Sequence, residues 1–270
     1  MEPLQASTGP IRALTDDLIE QMYRLMETHY EAVRRECFRA DLMEKDRVIL
    51  LRDRQGVVRG FSTLQCYPFT RSATHEKVRI IYSGDTIIDR RHWGSQALAF
   101  AWIEWAGREK ARFPETPLYW FLISKGPRTY RYLSTFSRRY WPHHARPTPP
   151  DLRGLMDELA TRRFGAAYDP RGGVVRFPES HGHLRAELAA VEDADRCRPE
   201  VAFFLQANPG YVRGEELVCL TELRADNLKS LARRVFEKGQ GDLGRAGDDD
   251  PAGWQGVAGS PAASRTTTIC

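Results

Sequence analysis

The sequence predicts an α/β fold, with a mixed, mostly antiparallel central sheet and helices on both faces. Three apolar, β-branched runs follow one another at 47–52, 57–67 and 78–88, a pattern typical of consecutive strands. A long helix-forming run at 94–110 separates them from another strand at 118–124. Helices before and after this series can cover both faces, because an amphipathic helix must bury its apolar side against another layer.

The composition is that of a globular chain with more arginine than lysine. Of its 270 residues 41% are hydrophobic, which allows a sizeable core, and the formal net charge is +4. A guanidinium group suits phosphate or carboxylate ligands. Because the basic residues are dispersed among acids, we expect no nucleic-acid partner. No apolar run reaches about 18 residues, so we also expect no membrane span.

The N-terminus, the cysteines and the histidines limit the class of protein further. Residues 1–10 lack a basic start followed by an apolar segment, which indicates a cytoplasmic protein. The five cysteines are scattered without a CxxC pair, so we expect reduced thiols. The histidines at 92, 143, 144, 181 and 183 lack metal-ligand spacing with a third ligand nearby, so we expect no metal.

Capping and turn signals predict the elements before and within the first strands. Thr15 precedes two acids and an apolar pattern, so it is a natural N-cap for a helix within 11–36. A shorter helix is expected over 39–45. The DRQG turn at 53–56 should join the first two strands in a hairpin.

The second half of the chain predicts a less regular arrangement. Its elements are, in order, an amphipathic helix ending before Pro142, a proline-dense loop at 142–150, a helix at 151–164, a short strand at 172–177, a hairpin of 201–206 and 216–223, and a closing helix at 224–238. Residues 239–270 are poor in large apolar side chains, which predicts a disordered tail. We therefore expect one domain over 11–238, enlarged by an insertion at about 142–200.

The segment from Gly84 to Ala106 joins a strand to a helix through a short basic turn that contains Gly94. Such a turn can bind phosphate at the helix N-terminus, because the first N–H groups of a helix lack intrahelical partners. Arg90 and Arg91 lie in this turn and can add charge-assisted hydrogen bonds to a phosphate. The alternative is that both arginines belong to a solvated basic turn.

At these residues the sequence resembles the GNAT superfamily of N-acyltransferases, over roughly 11–141, with the 201–223 hairpin as its last two strands. In that family the fourth strand ends in Arg/Gln-x-x-Gly-x-Gly/Ala, and the next helix begins on the pyrophosphate of acetyl-CoA. The run Arg91-His92-Trp93-Gly94-Ser95-Gln96 keeps the leading arginine and the first glycine. Gln96 stands where the family has Gly or Ala, which places a side chain where backbone would approach pyrophosphate.

The resemblance implies that the strand at 118–124 splays from the strand at 78–88, with the pantetheine arm between them. It implies an acyl thioester as co-substrate, either acetyl-CoA, a longer acyl-CoA or a thioester of an acyl carrier protein. The acceptor would be an amine of a small molecule or peptide that attacks the thioester directly, and a homodimer is compatible with the family. The implied donor-binding residues are Ile87, Ile88, Arg90, Arg91, Trp93, Gly94, Ser95 and Gln96.

The resemblance also implies two catalytic residues. Asp85 would be the base, and the neighbouring Gly84 suggests a β-bulge that re-aims the carboxylate. The alternative is that Asp85 caps a backbone group. Tyr132 would protonate the departing thiolate; it lies closer to the family position than Tyr130, which faces another side of the helix. The alternative for Tyr132 is a packed structural tyrosine, and the alternative for the whole chain is a non-catalytic GNAT-like ligand-binding or regulatory module.

Overall fold

Ten strands are present in the computed structural model, which describes residues 3–178 and 182–242. They are β1 Gln5–Pro10, β2 Tyr30–Glu31, β3 Arg47–Arg52, β4 Val58–Thr70, β5 Lys77–Ile88, β6 Leu118–Ser124, β7 Tyr168–Asp169, β8 Val174–Val175, β9 His183–Leu184 and β10 Glu216–Glu222. Eight of them form one sheet in the order β1-β3-β4-β5-β6-β10-β8-β7, and β2 pairs with β9. Only β5 and β6 are parallel within that sheet. The predicted mixed, mostly antiparallel sheet is confirmed.

Helices cover both faces of the sheet. They are α1 Asp16–Glu27, α2 Arg35–Met43, α3 Ala97–Arg112, α4 Pro127–Phe136, α5 Pro150–Phe164, α6 Ala186–Ala189, α7 Asp193–Arg196, α8 Pro199–Ala207 and α9 Ser230–Gly241. Alternate residues of β6 mark the two faces, as the pleat requires. Trp120 and Leu122 join the core of α3, α4, α8 and α9, whereas Tyr119 and Phe121 join the core of α5. The core of α1 and α2 lies on the α5 side.

The first half of the chain follows its local signals closely. The hydroxyl of Thr15 accepts the N–H of Leu18 at 3.3 Å, so the predicted N-cap of α1 is confirmed. β3 and β4 form the predicted antiparallel hairpin, and the Asp53 carboxylate fixes its turn by accepting the N–H groups of Gln55 and Val57. α2 begins and ends earlier than the predicted 39–45.

The predicted hairpin over 201–223 is wrong in its first strand. Residues 201–206 lie in α8, which begins at Pro199 and buries Val201 and Phe204, three residues apart on one helix face. β10 pairs instead with β6 and with β8, the strand expected at 172–177. A short, wholly apolar run is compatible with either a strand or a buried helix, and here packing against α4 favours the helix.

Both ends of the chain add elements that the sequence patterns did not predict. β1 pairs with β3 at the edge of the sheet, although its residues carry little strand signal. α9 continues to Gly241, so the first residues of the predicted disordered tail are helical. The rest of that prediction, from 243 to 270, lies outside the described residues. Within the described ranges no helix combines the length and hydropathy that crossing a bilayer requires.

α3 and α9 pack closely through two glycines. A Cβ atom on Gly107 would overlap the carbonyl oxygen of Phe236, and one on Gly239 would overlap that of Glu104. The two helix backbones therefore approach each other at positions where any larger residue would force them apart. This contact fixes α3, and with it the turn that precedes α3, against the sheet.

Candidate active site

The site begins where β5 and β6 part. The two strands pair in parallel from Arg79 with Leu118 to Ser83 with Leu122, and not beyond. On its other edge β5 stays paired with β4 as far as Ile88 opposite Gly60. Since β4 occupies only one edge, the other edge of 84–88 faces an open gap between β5 and β6. The predicted splay of these strands is therefore present.

A β-bulge lies at the start of this gap. Between the pairs Leu64–Ser83 and Ser62–Thr86, the two residues Gly84 and Asp85 oppose a single residue of β4. A Cβ atom on Gly84 would crowd the Thr63 hydroxyl and the Lys45 side chain, so glycine allows the strand to bend there. The predicted bulge is confirmed, and it shifts Asp85 relative to the regular alternation of the strand.

The gap opens into a cavity of about 420 Å³ with two different walls. On the side of α3 and α4 the lining is mainly apolar or aromatic, and it comprises Leu98, Ala99, Trp102, Thr129, Tyr132 and Phe136. On the side of α1, α2 and α5 it carries more charge, and it includes Arg34, Asp41, Glu44, Arg163, Phe164 and Phe177. The cavity therefore passes through the sheet at the point where the strands separate.

A group of charged residues lies between these walls. The ammonium nitrogen of Lys125, just after β6, is 3.5 Å from a carboxylate oxygen of Glu216 and 5.2 Å from the ring centre of Tyr30. Lys45 is bound elsewhere, since its Nζ donates to the carboxylate and the carbonyl of Asp41 at 2.7 and 2.9 Å. Glu216 is the first residue of β10. The pairing of β10 with β6 thus brings a second acid into the cavity.

Asp85 lines the same cavity. Among the described residues, no hydrogen bond or ion pair reaches its carboxylate, which does not support the capping alternative. Burial, and secondarily the charge of Asp41, raise its pKa to about 6, although Lys125 and Lys45 oppose the rise. Burial likewise raises the pKa of Glu216 to about 7, with Asp85 contributing and Lys125 opposing. Two acids thus titrate near neutral pH in one site.

The two candidate tyrosines of α4 have different surroundings. The hydroxyl of Tyr130 donates to the carbonyl of Pro142 at 2.7 Å, and its ring is fully buried against α8. Tyr132 lines the cavity and stacks on Phe136, with ring centres 5.7 Å apart. Burial raises the pKa of Tyr132, so its hydroxyl is protonated at neutral pH. The geometry therefore assigns a structural contact to Tyr130 and leaves Tyr132 facing the cavity.

The turn after β5 lies beyond the cavity. Asp89 caps a short 3₁₀ turn over Arg90–His92, and its carboxylate binds the guanidinium of Arg91 at 2.6 Å. Gly94 has φ +95°, and no atom lies within 4 Å of the place where a Cβ would stand. The exposed Gln96 is the N-cap residue of α3 without a side-chain capping bond, and the Ser95 hydroxyl accepts the N–H of Ala97 at 3.4 Å. An open glycine turn before a 16-residue helix fits a phosphate group.

The two isoleucines at the end of β5 differ in their surroundings. Ile87 is buried in the core of α1 and α2. The N–H of Asp89 donates to β4, so the Ile88 carbonyl of the same peptide points the opposite way, into the gap. That carbonyl accepts from Nε2 of His29 at 3.0 Å and from the indole N–H of Trp93 at 2.9 Å. Two side chains therefore already occupy the backbone acceptor that the gap offers at Ile88.

The parallel pair of β5 and β6 and the gap beside it agree with the splayed strands that the resemblance to the GNAT superfamily implies. No protein-family model matches the sequence, and no curated protein matches it. Among solved structures, the chain is similar to the GNAT family N-acetyltransferase YhbS from Escherichia coli, solved with CoA, at 15% identity and a TM-score of 0.35 over 50% of this chain and 71% of that one.

Two further solved structures show the same limited similarity. AtaT, solved with acetyl-methionyl-tRNAfMet, is 14% identical with a TM-score of 0.33, over 49% of this chain and 86% of that one. A conserved Enterococcus faecalis protein of unknown function is 10% identical with a TM-score of 0.36, over 50% of this chain. The match spans only 33% of the Enterococcus protein. At these identities and TM-scores the similarities identify neither an activity nor a substrate.

The structure places the predicted residues in two separate groups. Asp85 and Tyr132 line the cavity, whereas 87–96 form the end of β5 and the turn beyond it. Within the described parts of the chain, no group of three or more His, Cys, Asp or Glu residues is arranged to hold a metal ion. Trp120 lines the cavity and donates to the Ser83 hydroxyl at 2.8 Å, while its neighbours on β6 pack under α5.

Lys125 and Glu216 line the cavity, although the sequence patterns did not predict them as site residues. Lys125 directly follows β6, whose bounds the sequence predicts correctly, so its place at the end of that strand could be predicted from the sequence. Glu216 opens a predicted strand, but the pairing of that strand was assigned to 201–206 instead of β6. Only the observed pairing brings Glu216 within reach of Lys125.

Proposed function

We propose that this protein is an N-acyltransferase that moves an acyl group from an acyl thioester to an amine. The observation that supports this most is the Asp85 carboxylate, which has no hydrogen-bond or ion-pair partner among the described residues. It lies in the cavity at the gap between β5 and β6 with its pKa raised to about 6. An acid with that pKa is ionised at neutral pH and can accept a proton there. A GNAT-like fold around such a gap supports the same reaction.

In the proposed reaction the acceptor binds on the charged side of the cavity as an ammonium ion. Asp85 takes one proton from it, directly or through a water molecule, and the free amine attacks the thioester carbonyl carbon. A C–N bond forms and the C–S bond breaks, so the sulfur leaves as a thiolate. Tyr132 donates its proton to that thiolate from the opposite wall. The nitrogen loses a second proton on becoming an amide, and this proton passes through water to the tyrosinate, so that Tyr132 is restored and Asp85 holds the first proton.

Glu216 and Lys125 serve this reaction by setting the charge around Asp85. Lys125 opposes the rise of both carboxyl pKa values, and Glu216 provides a second group that titrates near neutrality. The two acids interact, so their titrations belong to the pair. We expect a pH–rate profile with coupled ionisations near 6 and 7.

The segment at 142–200 is proposed to select the acceptor, as an insertion into a single domain over 11–238. Arg163 and Phe164 from α5, together with Phe177, contribute to the wall on the charged side. A cavity of about 420 Å³ with walls on both sides suits a small-molecule amine or a single peptide end. The donor is proposed to be an acyl-CoA or an acyl carrier protein thioester, with its thioester in the gap.

A second candidate is a ligand-binding or regulatory module without turnover. The occupied carbonyl of Ile88 favours it, because His29 and Trp93 already take the hydrogen bonds that a pantetheine arm would need there. In that case the gap binds a thioester or a related ligand and releases it unchanged.

Mass detection of acylated products separates the two candidates. Purified protein is incubated with pooled metabolite amines and a series of acyl thioesters, and each product mass is checked for dependence on protein and donor. Acylated amine that disappears in Asp85→Asn supports the enzyme. Thioester binding without any acylated product supports the module instead, and product formation undiminished in both Asp85→Asn and Tyr132→Phe contradicts the proposed residue roles.

A further inference from the structure

A buried serine lies at the start of the gap with its hydroxyl proton unused. Ser83 is the last residue of β5 that pairs with β6, and it lines the cavity although only 5% of it is exposed. Its hydroxyl oxygen accepts the indole N–H of Trp120 at 2.8 Å. Because an indole nitrogen only donates, this bond uses a lone pair of the serine oxygen and leaves the serine proton free. No acceptor in the described part of the chain takes that proton, so it is available to a ligand in the cavity.

The β-bulge places Ser83 and Asp85 on opposite faces of β5. Ile81 packs in the core of α3, α4, α8 and α9, and Ser83, two residues later, lies on the same face. Ile87 packs in the core of α1 and α2, and Asp85, two residues earlier, lies on that face. In a regular strand residues 83 and 85 would share a face, and the extra residue of the bulge separates them. Ser83 therefore shares a side of the cavity with Tyr132, opposite the side on which Asp85 meets the amine.

Packing holds the Ser83 oxygen in place. Trp120 is buried, and its ring centre lies 4.5 Å from that of Trp102, which also lines the cavity. Two large rings packed against each other leave the indole N–H little freedom, so the bond from that N–H fixes the position of the serine oxygen. A hydrogen-bond donor that is already in position stabilises a developing charge well, because nothing has to reorganise when the charge forms.

Two further hydroxyls of β4 and β5 line the cavity on the other side of the bulge. Ser62 and Thr86 hydrogen-bond each other at 2.8 Å, so the proton of one of them is already used. The remaining proton can belong to either oxygen, and its direction is therefore not fixed. Ser83 differs from this pair because Trp120 determines which role its oxygen takes.

We propose that the Ser83 hydroxyl donates a hydrogen bond to the carbonyl oxygen of the acyl thioester and is a catalytic residue of the transfer. This rests on the proposed function. When the amine nitrogen bonds to the carbonyl carbon, the C=O double bond becomes a C–O⁻ single bond, and the double bond returns when the C–S bond breaks. Ser83 keeps its proton throughout, and its hydrogen bond is strongest while the oxygen is negative. The hydroxyl thus lowers the barrier without taking part in the proton transfers.

Steady-state kinetics of acyl transfer by the full chain give the first test. Ser83→Ala should lower kcat roughly 10²–10³-fold, as expected for the loss of one pre-organised donor to an oxyanion, with little change in KM for the thioester. Ser83→Cys keeps a similar shape with a weaker donor, so its kcat should be intermediate.

Ser137→Ala is the matched control. Ser137 is also a buried serine whose hydroxyl has no partner among the described residues, but it does not line the cavity. The same truncation at this position should leave kcat unchanged, so a fall in kcat at Ser83 alone reflects its place in the cavity.

Infrared difference spectroscopy tests the contact itself and does not require turnover. The probes are acetyl-CoA and octanoyl-CoA, isotopically labelled at the carbonyl carbon and bound to the protein without an amine. A hydrogen bond to the carbonyl oxygen weakens the C=O bond, so the labelled stretch should lie at lower frequency in wild type than in Ser83→Ala. Ser137→Ala should give the wild-type frequency.

The outcomes separate this proposal from the proposed function. If the stretch differs between wild type and Ser83→Ala but no amine is acylated, the carbonyl contact stands and the acyltransferase fails. If amines are acylated but Ser83→Ala, folded by circular dichroism, shows the wild-type stretch or keeps more than about a tenth of wild-type kcat, the role of Ser83 is overturned and the acyltransferase stands. If Ser83→Ala does not fold, Ser83→Cys decides by the same two measurements. The role of Ser83 is also overturned if wild type binds neither thioester.

Discussion

Replacing Asp85 by asparagine should remove activity and at the same time stabilise the protein. The carboxylate is partly buried, it has no partner in the part of the chain that the structure describes, and its pKa rises from 3.8 to about 6. A rise of this size corresponds to about 3 kcal/mol of cost for the ionised form at neutral pH. Because Asp85 is not fully buried, solvent screening reduces that cost, and we expect a gain of about 1–2 kcal/mol in unfolding free energy.

The gain in unfolding free energy of Asp85→Asn over wild type should increase with pH. A carboxyl group whose pKa is higher in the folded protein binds its proton more tightly there, so its contribution to stability falls as pH rises from about 4 to about 6. The asparagine side chain of the variant cannot ionise, so the difference from wild type should be small at pH 4 and complete at pH 8. At pH 8 the melting temperature of Asp85→Asn should exceed that of wild type by about 3–6 °C.

The loss of activity should be large in the same variant. A positioned general base contributes roughly 10²–10⁴ to the rate, so kcat/KM should fall by that factor, which is about 3–5 kcal/mol of barrier. Thermal unfolding at both pH values and acyl-transfer kinetics are the two measurements. If Asp85→Asn retains more than about a tenth of wild-type kcat/KM, Asp85 is not the base, because loss of a general base should lower kcat/KM by roughly 10²–10⁴.

Asp53→Asn is the matched control, because it makes the same substitution at an aspartate whose pKa is lowered and not raised. Burial alone would raise the pKa of Asp53, but the N–H of Val57 and the guanidinium of Arg59 outweigh burial and lower it. Its contribution to stability is therefore present above the unfolded pKa and is lost as pH falls. Asp53→Asn should destabilise at pH 8 with unchanged kcat/KM. If both variants shift stability in the same direction at pH 8, the electrostatic reasoning is refuted.

Five further substitutions test other parts of the site and fold. Lys125→Met removes the cation that lowers both carboxyl pKa values, so the acid limb of the pH–rate profile should move to higher pH. If the limb does not move, Lys125 does not influence the pKa of the base. Tyr132→Phe should lower kcat with little change in unfolding free energy, whereas Tyr130→Phe should cost about 1 kcal/mol of stability by losing a buried hydrogen bond and leave kcat intact. Gly107→Ala should destabilise by more than about 1 kcal/mol in denaturant unfolding, because its methyl group meets the α9 backbone. Gly154→Ala, at an open helical position, should stabilise by about 0.5–1 kcal/mol, and similar effects at both glycines would contradict the close approach of α3 and α9.

The sequence by itself determined the elements whose signals are local. β3 and β6 begin and end where their apolar runs do, because flanking charges and turn residues limit each run. Thr15 caps α1 through a hydrogen bond three residues away, and Gly84 marks the bulge that it allows. Asp85 and Tyr132 could be predicted to lie near the gap because both belong to segments whose structure depends on their own residues.

The tertiary structure alone decided which distant residues share the site. The run at 201–206 became a helix because α4 offers it an apolar face, and β10 then paired with β6, which brought Glu216 to Lys125. Arg128, in α4, reaches the ring of Trp93 only because β5 and β6 run parallel and carry their following segments to the same end of the sheet. Such contacts join residues tens of positions apart, and no local pattern of side chains encodes the pairing that forms them.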